Sequence, residues 1–196
     1  MYPLILPVAE PFPLPKNCGN YFSDDFSNCK DGAIPNEWVD GVAGYTVSGG
    51  KLITPDDATV RLIKANFPAQ KDCIAQVDLK RLTTANRFAS LVLRWDGVTT
   101  GAVPNNAYAL LLHQSVDVGG LYINRYAGGV STKIASNLTY NAINEGILTF
   151  MVRGTTLLGY LNDKLILSVT DATYTVGAVG VLSRACTYKW FRTVTL

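Results

Sequence analysis

Histidine is almost missing from this sequence: His113 is the only one among 196 residues. A Ser-His-Asp triad would have to be built on it, and the Gly-x-Ser-x-Gly turn that presents such a serine does not occur. A lone histidine in an apolar stretch reads as a hydrogen-bonded core or face residue instead. The four cysteines, Cys18, Cys29, Cys73 and Cys186, show no C-x-x-C spacing. With so little histidine they do not form a zinc-binding pattern, and neither a metal nor a cofactor is expected. Glutamate is scarce too, limited to the widely separated Glu10, Glu37 and Glu145. Charge is thin: 17 basic against 15 acidic residues, a net +2, and no run of either sign. That balance leaves no electrostatic footprint for nucleic acid. Apolar runs such as 107–112 fall far short of the roughly 18 residues of a membrane-spanning helix. No phosphate-binding glycine loop is present, since Gly119-Gly120 and Gly128-Gly129 read as hairpin turns. At 48% hydrophobic residues the chain is not intrinsically disordered. Its length suits one domain with a full core.

Prolines are abundant only at the start, where Pro3, Pro7, Pro11, Pro13 and Pro15 make up five of the nine. Proline lacks an N–H and fixes φ, so this stretch is expected to be an extended arm rather than a helix or central strand. It lacks the basic n-region and unbroken apolar core of a secretory leader. It is nevertheless greasy. Leu4, Ile5, Leu6, Val8, Phe12 and Leu14 would each gain about 1.5–3 kcal/mol by burial. The arm either wraps its own domain or docks on a neighbouring subunit. Residues 1–21 are assigned to it and 22–196 to the body. For the cysteines two readings stand: buried free thiols, or Cys18–Cys29 closing a small loop with Cys73–Cys186 as a long-range pair.

The body reads as strands throughout. Expected strands are 43–47, 51–54, 59–63, 73–82, 87–95, 107–114, 121–126, 133–136, 147–153, 156–161, 164–170, 178–183 and 188–194. Turn residues separate them, including Gly49-Gly50, Asp96-Gly97, Gly128-Gly129 and Asn162-Asp163. Many short strands between turn signals indicate a sandwich or barrel, not βαβ units. Alternation puts Leu91, Leu93 and Trp95 on one face and Ser90 and Arg94 on the other. Tyr108, Leu110 and Leu112 likewise oppose Ala109, Leu111 and His113. Leu121, Ile123 and Arg125 oppose Tyr122, Asn124 and Tyr126. One face of each is expected to pack while the other meets solvent or ligand.

The order of these elements resembles the concanavalin A-like lectin/glucanase superfamily, including its laminin-G-like members. The resemblance rests on Ser23-Asp24-Asp25-Phe26, Trp38 and Gly49-Gly50-Lys51-Leu52 at the start. Phe88 to Trp95, Tyr108 to Leu112 and Leu121 to Tyr126 carry it through the middle. The ending, with Arg153-Gly154, Asn162-Asp163, Thr170-Asp171, Gly177 and Gly180-Val181, is similar to laminin-G-like domains. It implies an all-β, two-sheet antiparallel jelly-roll sandwich. Two departures stand out. Glucanases of this superfamily use a Glu-x-Asp-x-x-Glu strand, and hydrolysis needs two carboxyl groups ~5–9.5 Å apart. No such motif occurs here, and no catalytic residue is assigned. Many relatives also have an acidic residue in the closing strand that helps hold calcium; here Lys189 stands there.

The fold hosts lectins, hydrolases and structural proteins alike. The leading expectation is a non-enzymatic structural or attachment protein of a virus particle, such as a phage head-decoration, head-fibre or tail-associated protein. Its arm would lock onto other virion subunits or a second copy in a homo-oligomer. The virion protein would also be able to bind glycans; the alternative is a carbohydrate-binding module or lectin outside a virion, in an extracellular setting. Arg94, Tyr108, Tyr122, Asn124 and Tyr126 would supply aromatic faces and planar polar groups to the glycan. A glycoside hydrolase ranks third.

Overall fold

The computed structural model describes residues 20–57, 59–81, 87–114, 119–140 and 144–196. The arm residues Leu4, Ile5, Leu6, Val8, Phe12 and Leu14, together with Cys18, lie outside these. The strands are β1 (Tyr21–Asp24), β2 (Trp38–Val42), β3 (Thr46–Val47), β4 (Leu52–Ile53), β5 (Arg61–Ala65) and β6 (Cys73–Arg81). Next come β7 (Arg87–Trp95), β8 (Thr99–Thr100), β9 (Val103–Pro104), β10 (Ala107–Gln114), β11 (Gly120–Ala127) and β12 (Val130–Asn137). The last are β13 (Glu145–Arg153), β14 (Thr156–Leu161), β15 (Lys164–Thr170), β16 (Ala178–Arg184) and β17 (Cys186–Thr195).

Two large sheets result. One runs β15-β14-β13-β6-β17-β4-β3, with β1 also paired to β17; the other runs β12-β11-β10-β7-β16-β5-β2. The chain crosses between them repeatedly, at β1–β2, β2–β3, β4–β5, β5–β6, β6–β7, β12–β13, β15–β16 and β16–β17, while β10–β11–β12 and β13–β14–β15 are meanders within one sheet. Strands β8 and β9 form a separate small hairpin.

Period-two alternation builds the core between the sheets. Ala75, Val77 and Leu79 of β6 and Leu148, Phe150 and Val152 of β13 face inward from the eight-stranded sheet. Ala89, Leu91 and Leu93 of β7, Tyr108, Leu110 and Leu112 of β10, and Leu121 and Ile123 of β11 meet them from the seven-stranded sheet. The β14–β15 hairpin turns on Asn162 and Asp163 at φ 49° and 62°, the left-handed conformation a two-residue turn requires.

One expected face is corrected. In β7 the alternation breaks at Arg94, a non-glycine residue at φ 51°. Trp95 pairs with Ala178 and Val92 with Gly180, so Leu93 and Arg94 together oppose Val179 alone. This β-bulge re-aims the end of the strand. Leu93 stays in the core between the sheets. Trp95 turns to the opposite face, where it clusters with Val92, Leu62, Ala107, Ala109, Leu111, Tyr126 and Leu182.

The cysteine alternatives also narrow. Cys29, Cys73 and Cys186 are free thiols. Cys73 pairs with Thr195 and Cys186 with Arg81, at opposite ends of the β6–β17 ladder, so no bond joins them. Burial pushes both of those thiols up to about 12, which keeps them protonated and unreactive.

Candidate functional site

Among the described residues, the larger of the two apolar clusters outside the main core lies on the outer face of the seven-stranded sheet. Strand β10 presents Ala107, Ala109 and Leu111 there, and β11 sets Tyr126, Asn124 and Tyr122 directly opposite them. On β12, Ser131 lies opposite Tyr126 and Lys133 opposite Asn124. The two-residue Gly128-Gly129 turn sets this register, and a shift beyond it, where Ile123 pairs with Ala135, leaves Ile134 as the extra residue. Phe88 of β7 pairs with His113 of β10, their ring centroids 5.9 Å apart. Val60, ahead of β5, and Val103 of β9 close the far wall. Together these residues line a groove of about 300 Å³.

Its base is anchored from below. The Trp95 Nε1–H donates to the Val98 carbonyl at 2.6 Å, tying the outward-turned ring to the approach of the β8–β9 hairpin. Asn105 and Asn106 donate to Asp96 Oδ2 at 2.9 and 2.8 Å, which closes the hairpin onto the end of β7.

Three polar atoms of the groove side chains are buried without a partner: His113 Nδ1, the Tyr122 hydroxyl and Asn124 Oδ1. Each such atom costs about 1–3 kcal/mol when withdrawn from water unsatisfied. The Lys133 ammonium stands 3.9 Å from the centroid of the Tyr122 ring, a cation–π contact. Burial raises the Tyr122 hydroxyl. It pushes that of Tyr126 up to about 12, with the Asn124 side chain opposing. Both phenols are neutral at physiological pH.

Burial holds the His113 imidazole below its ordinary pKa, and Arg81, Lys133 and Arg184 push it the same way. Above about pH 6.5, the value of an unfolded histidine, it is neutral in both states and makes no pH-dependent contribution. Below that pH the unfolded chain takes a proton that the folded chain resists, so stability falls as pH falls. The melting temperature of the native chain is therefore expected to drop more than that of His113→Asn between pH 7.5 and pH 5. Equal drops would contradict it.

Of the five side chains expected to touch a glycan, Tyr122, Asn124 and Tyr126 come together in this groove. Arg94 and Tyr108 do not. Arg94 is 2% exposed and clamps three loops. Its guanidinium donates to the carbonyls of Lys71 (2.8 Å), Tyr174 (2.6 Å) and Gly154 (2.7 Å), and to Asp72 Oδ1 (3.1 Å). Tyr108 points into the core. Its hydroxyl donates to Asp171 Oδ1 at 2.6 Å and accepts from the Tyr174 N–H at 3.0 Å. Asp171 also holds Arg125 at 2.8 Å.

His113, Lys133 and Phe88 complete the groove and were not among the expected contacts. Their signal was available: His113 shares its face with Ala109 and Leu111. The Gly128-Gly129 turn brings Lys133 back beside Asn124. Among the described residues, no carboxylate lines the groove. Glu145 stands on the other sheet, where it pairs with Lys80 at 3.5 Å. No cluster of three or more His, Cys, Asp or Glu side chains able to hold a metal occurs among the described residues. At the position where relatives have an acidic residue, Lys189 pairs with Asp78 at 3.0 Å. Asp24 accepts hydrogen bonds from the Phe26 N–H at 2.7 Å and Trp38 Nε1 at 2.8 Å.

The architecture has many solved counterparts. A carbohydrate-binding module, CBM66 from Bacillus subtilis, superposes with a TM-score of 0.63 at 17% identity, covering 81% of this chain and 91% of that one. The exoplasmic/lumenal domain of VIP36, bound to Ca2+ and Man2, gives 0.65 at 14% identity, covering 90% and 87%. The β-glucanase of Bacillus licheniformis gives 0.63 at 14% identity, covering 91% and 99%. The fold is therefore the concanavalin A-like jelly roll, shared by carbohydrate-binding and carbohydrate-cleaving proteins. No protein-family model matches the chain, and no curated protein matches it by sequence.

Proposed function

We propose that this chain is a non-catalytic carbohydrate-binding module that takes its ligand in the groove over β10, β11 and β12. The observation that carries this reading is the convergence of three partnerless polar atoms on one apolar, aromatic-walled groove. Sugars present apolar C–H faces that rest against aromatic rings, and hydroxyls that both donate and accept. Tyr122, Tyr126, Phe88 and Leu111 supply the first kind of surface. Asn124, His113 and the Tyr122 hydroxyl, after small side-chain rotations, supply the second. The absence of a carboxylate from the groove lining, among the described residues, supports binding without turnover, because glycoside hydrolysis uses a pair.

The fold neighbours support a carbohydrate-related reading over the virion reading raised by the sequence. A virion subunit rested on the apolar arm, which lies outside the described residues, and no neighbour named above is a virion protein. A carbohydrate-binding role uses a feature that the described structure contains.

Electrophoresis through gels carrying soluble polysaccharides, followed by calorimetry with oligosaccharides of the retarding polymer, tests the proposal. Retardation by at least one polymer is expected, without release of reducing ends. Asn124→Ala is expected to weaken affinity by about tenfold, the equivalent of one lost hydrogen bond of ~1.4 kcal/mol. Tyr122→Phe, which deletes only the unpartnered hydroxyl, should weaken it less and should melt no lower than the native chain. Retardation unaffected by either variant, or steady release of sugar ends, would overturn the proposal.

A further inference from the structure

The groove is unbalanced in charge and in hydrogen-bonding type. Lys133, Ser131, Tyr122 and His113 can all donate into it, against the single partnerless amide acceptor Asn124 Oδ1, and no carboxylate lines it among the described residues. Carboxylates are strong acceptors, so a groove whose donors outnumber its acceptors is better matched to a glycan that brings such acceptors itself. From this we infer that the preferred ligand is an acidic glycan bearing carboxylate or sulfate groups, an inference that rests on the carbohydrate-binding reading above.

Two cations beside the groove lack an ion-pair partner among the described residues. The Lys133 ammonium is occupied only by the face of Tyr122. The Arg184 Nε donates to the Asp57 carbonyl at 3.3 Å, a neutral acceptor. Elsewhere near this sheet the arginines are matched: Arg61 pairs with Asp57 at 2.7 Å, and Arg87 pairs with Asp56. The positive charge around the groove is felt inside it. At His113, Arg81, Lys133 and Arg184 each add to the effect of burial, and among the described residues no carboxylate opposes them. A ligand anion would supply the missing charge and accept from the surplus donors. In a partly enclosed groove such pairing is stronger than on open surface.

Matched polymers that differ only in charge test the inference on the full chain. Polygalacturonate is set against its methyl ester, and dextran sulfate against dextran. At low ionic strength at least one acidic member is expected to bind about tenfold or more tightly than its neutral counterpart. Which pair discriminates tells carboxylate from sulfate. The ratio should shrink as salt rises and the Debye length shortens from ~10 Å at 0.1 M. Lys133→Gln and Arg184→Gln should each cut the preference several-fold. Lys164→Gln, an equal charge change on exposed β15 of the other sheet, should leave it intact. Neutral polymers binding as well as acidic ones would overturn this inference while leaving the glycan-binding reading in place. An equal effect of Lys164→Gln would reduce it to general surface charge and also overturn it. Failure of every polymer, acidic or neutral, would remove both.

Discussion

Arg94→Ala is expected to destabilise the chain by about 3–5 kcal/mol, the usual loss when one member of a buried charged network is removed. For a chain of this length that is a fall of roughly 10 °C in melting temperature. The side chain is almost fully enclosed, and its donors reach four acceptors on three segments that are remote in sequence. Truncation leaves the carbonyls of Lys71, Gly154 and Tyr174 without that donor and Asp72 without its cation. Arg94→Lys keeps the charge but not the planar fork, so it should recover only part of the loss. Thermal unfolding followed by circular dichroism reads both variants. An alanine variant melting within about 2 °C of the native chain would show that the clamp contributes little.

Gly177→Ala carries the second large effect, for a purely steric reason. A Cβ at Gly177 would sit 2.4 Å from the Arg94 carbonyl carbon, 2.6 Å from the Trp95 oxygen and 2.7 Å from the Arg94 Cα. All three are backbone atoms and none can swing aside. Gly177 is also bridged to Gln70 by two backbone hydrogen bonds, of 2.7 and 3.0 Å, so its own segment is held in place. The strain must displace the β7 bulge or break that bridge, at a cost of about 3 kcal/mol, the upper part of the usual overpacking range. Because Trp95 follows the bulge, its indole environment should change as well. Near-ultraviolet circular dichroism and the melting temperature therefore move together in this variant. A stable variant with a native tryptophan signal would contradict the close packing described here.

These two positions also show where the sequence was legible and where it was not. Alternation and turn chemistry sufficed for the meanders. The expected strands 156–161 and 164–170 coincide with β14 and β15, because Asn162-Asp163 fits only a tight turn. Expected strand 107–114 coincides with β10. The short strands β1 and β2 carry no alternating apolar signal of their own. In Trp38–Val42 a glycine and an aspartate interrupt the apolar residues, so pairing with β5 decides the outcome. The bulge was invisible for a different reason. Arginine at positive φ is intrinsically unfavourable, and only tertiary partners of the guanidinium and the absence of a side chain at Gly177 allow it.

The groove followed the same division. Tyr122, Asn124 and Tyr126 were legible as one strand face because β11 is regular across them. Tyr108 was placed with them for its chemistry, although its own alternation with Leu110 and Leu112 assigns it to the core. Lys133 lay just outside the apolar pattern of expected strand 133–136, although counting back from the two-residue Gly128-Gly129 turn places it opposite Asn124.

The central claim, that the groove over β10, β11 and β12 is the ligand site, is tested most directly by mapping amide chemical shifts during titration with a bound oligosaccharide. Perturbations are expected to concentrate at Leu111, His113, Tyr122, Asn124, Tyr126 and Lys133, with smaller changes around Val103 in β9. Perturbations centred instead on the Arg125–Asp171 edge, or on the outer face of the eight-stranded sheet around Gln76 and Arg192, would contradict it.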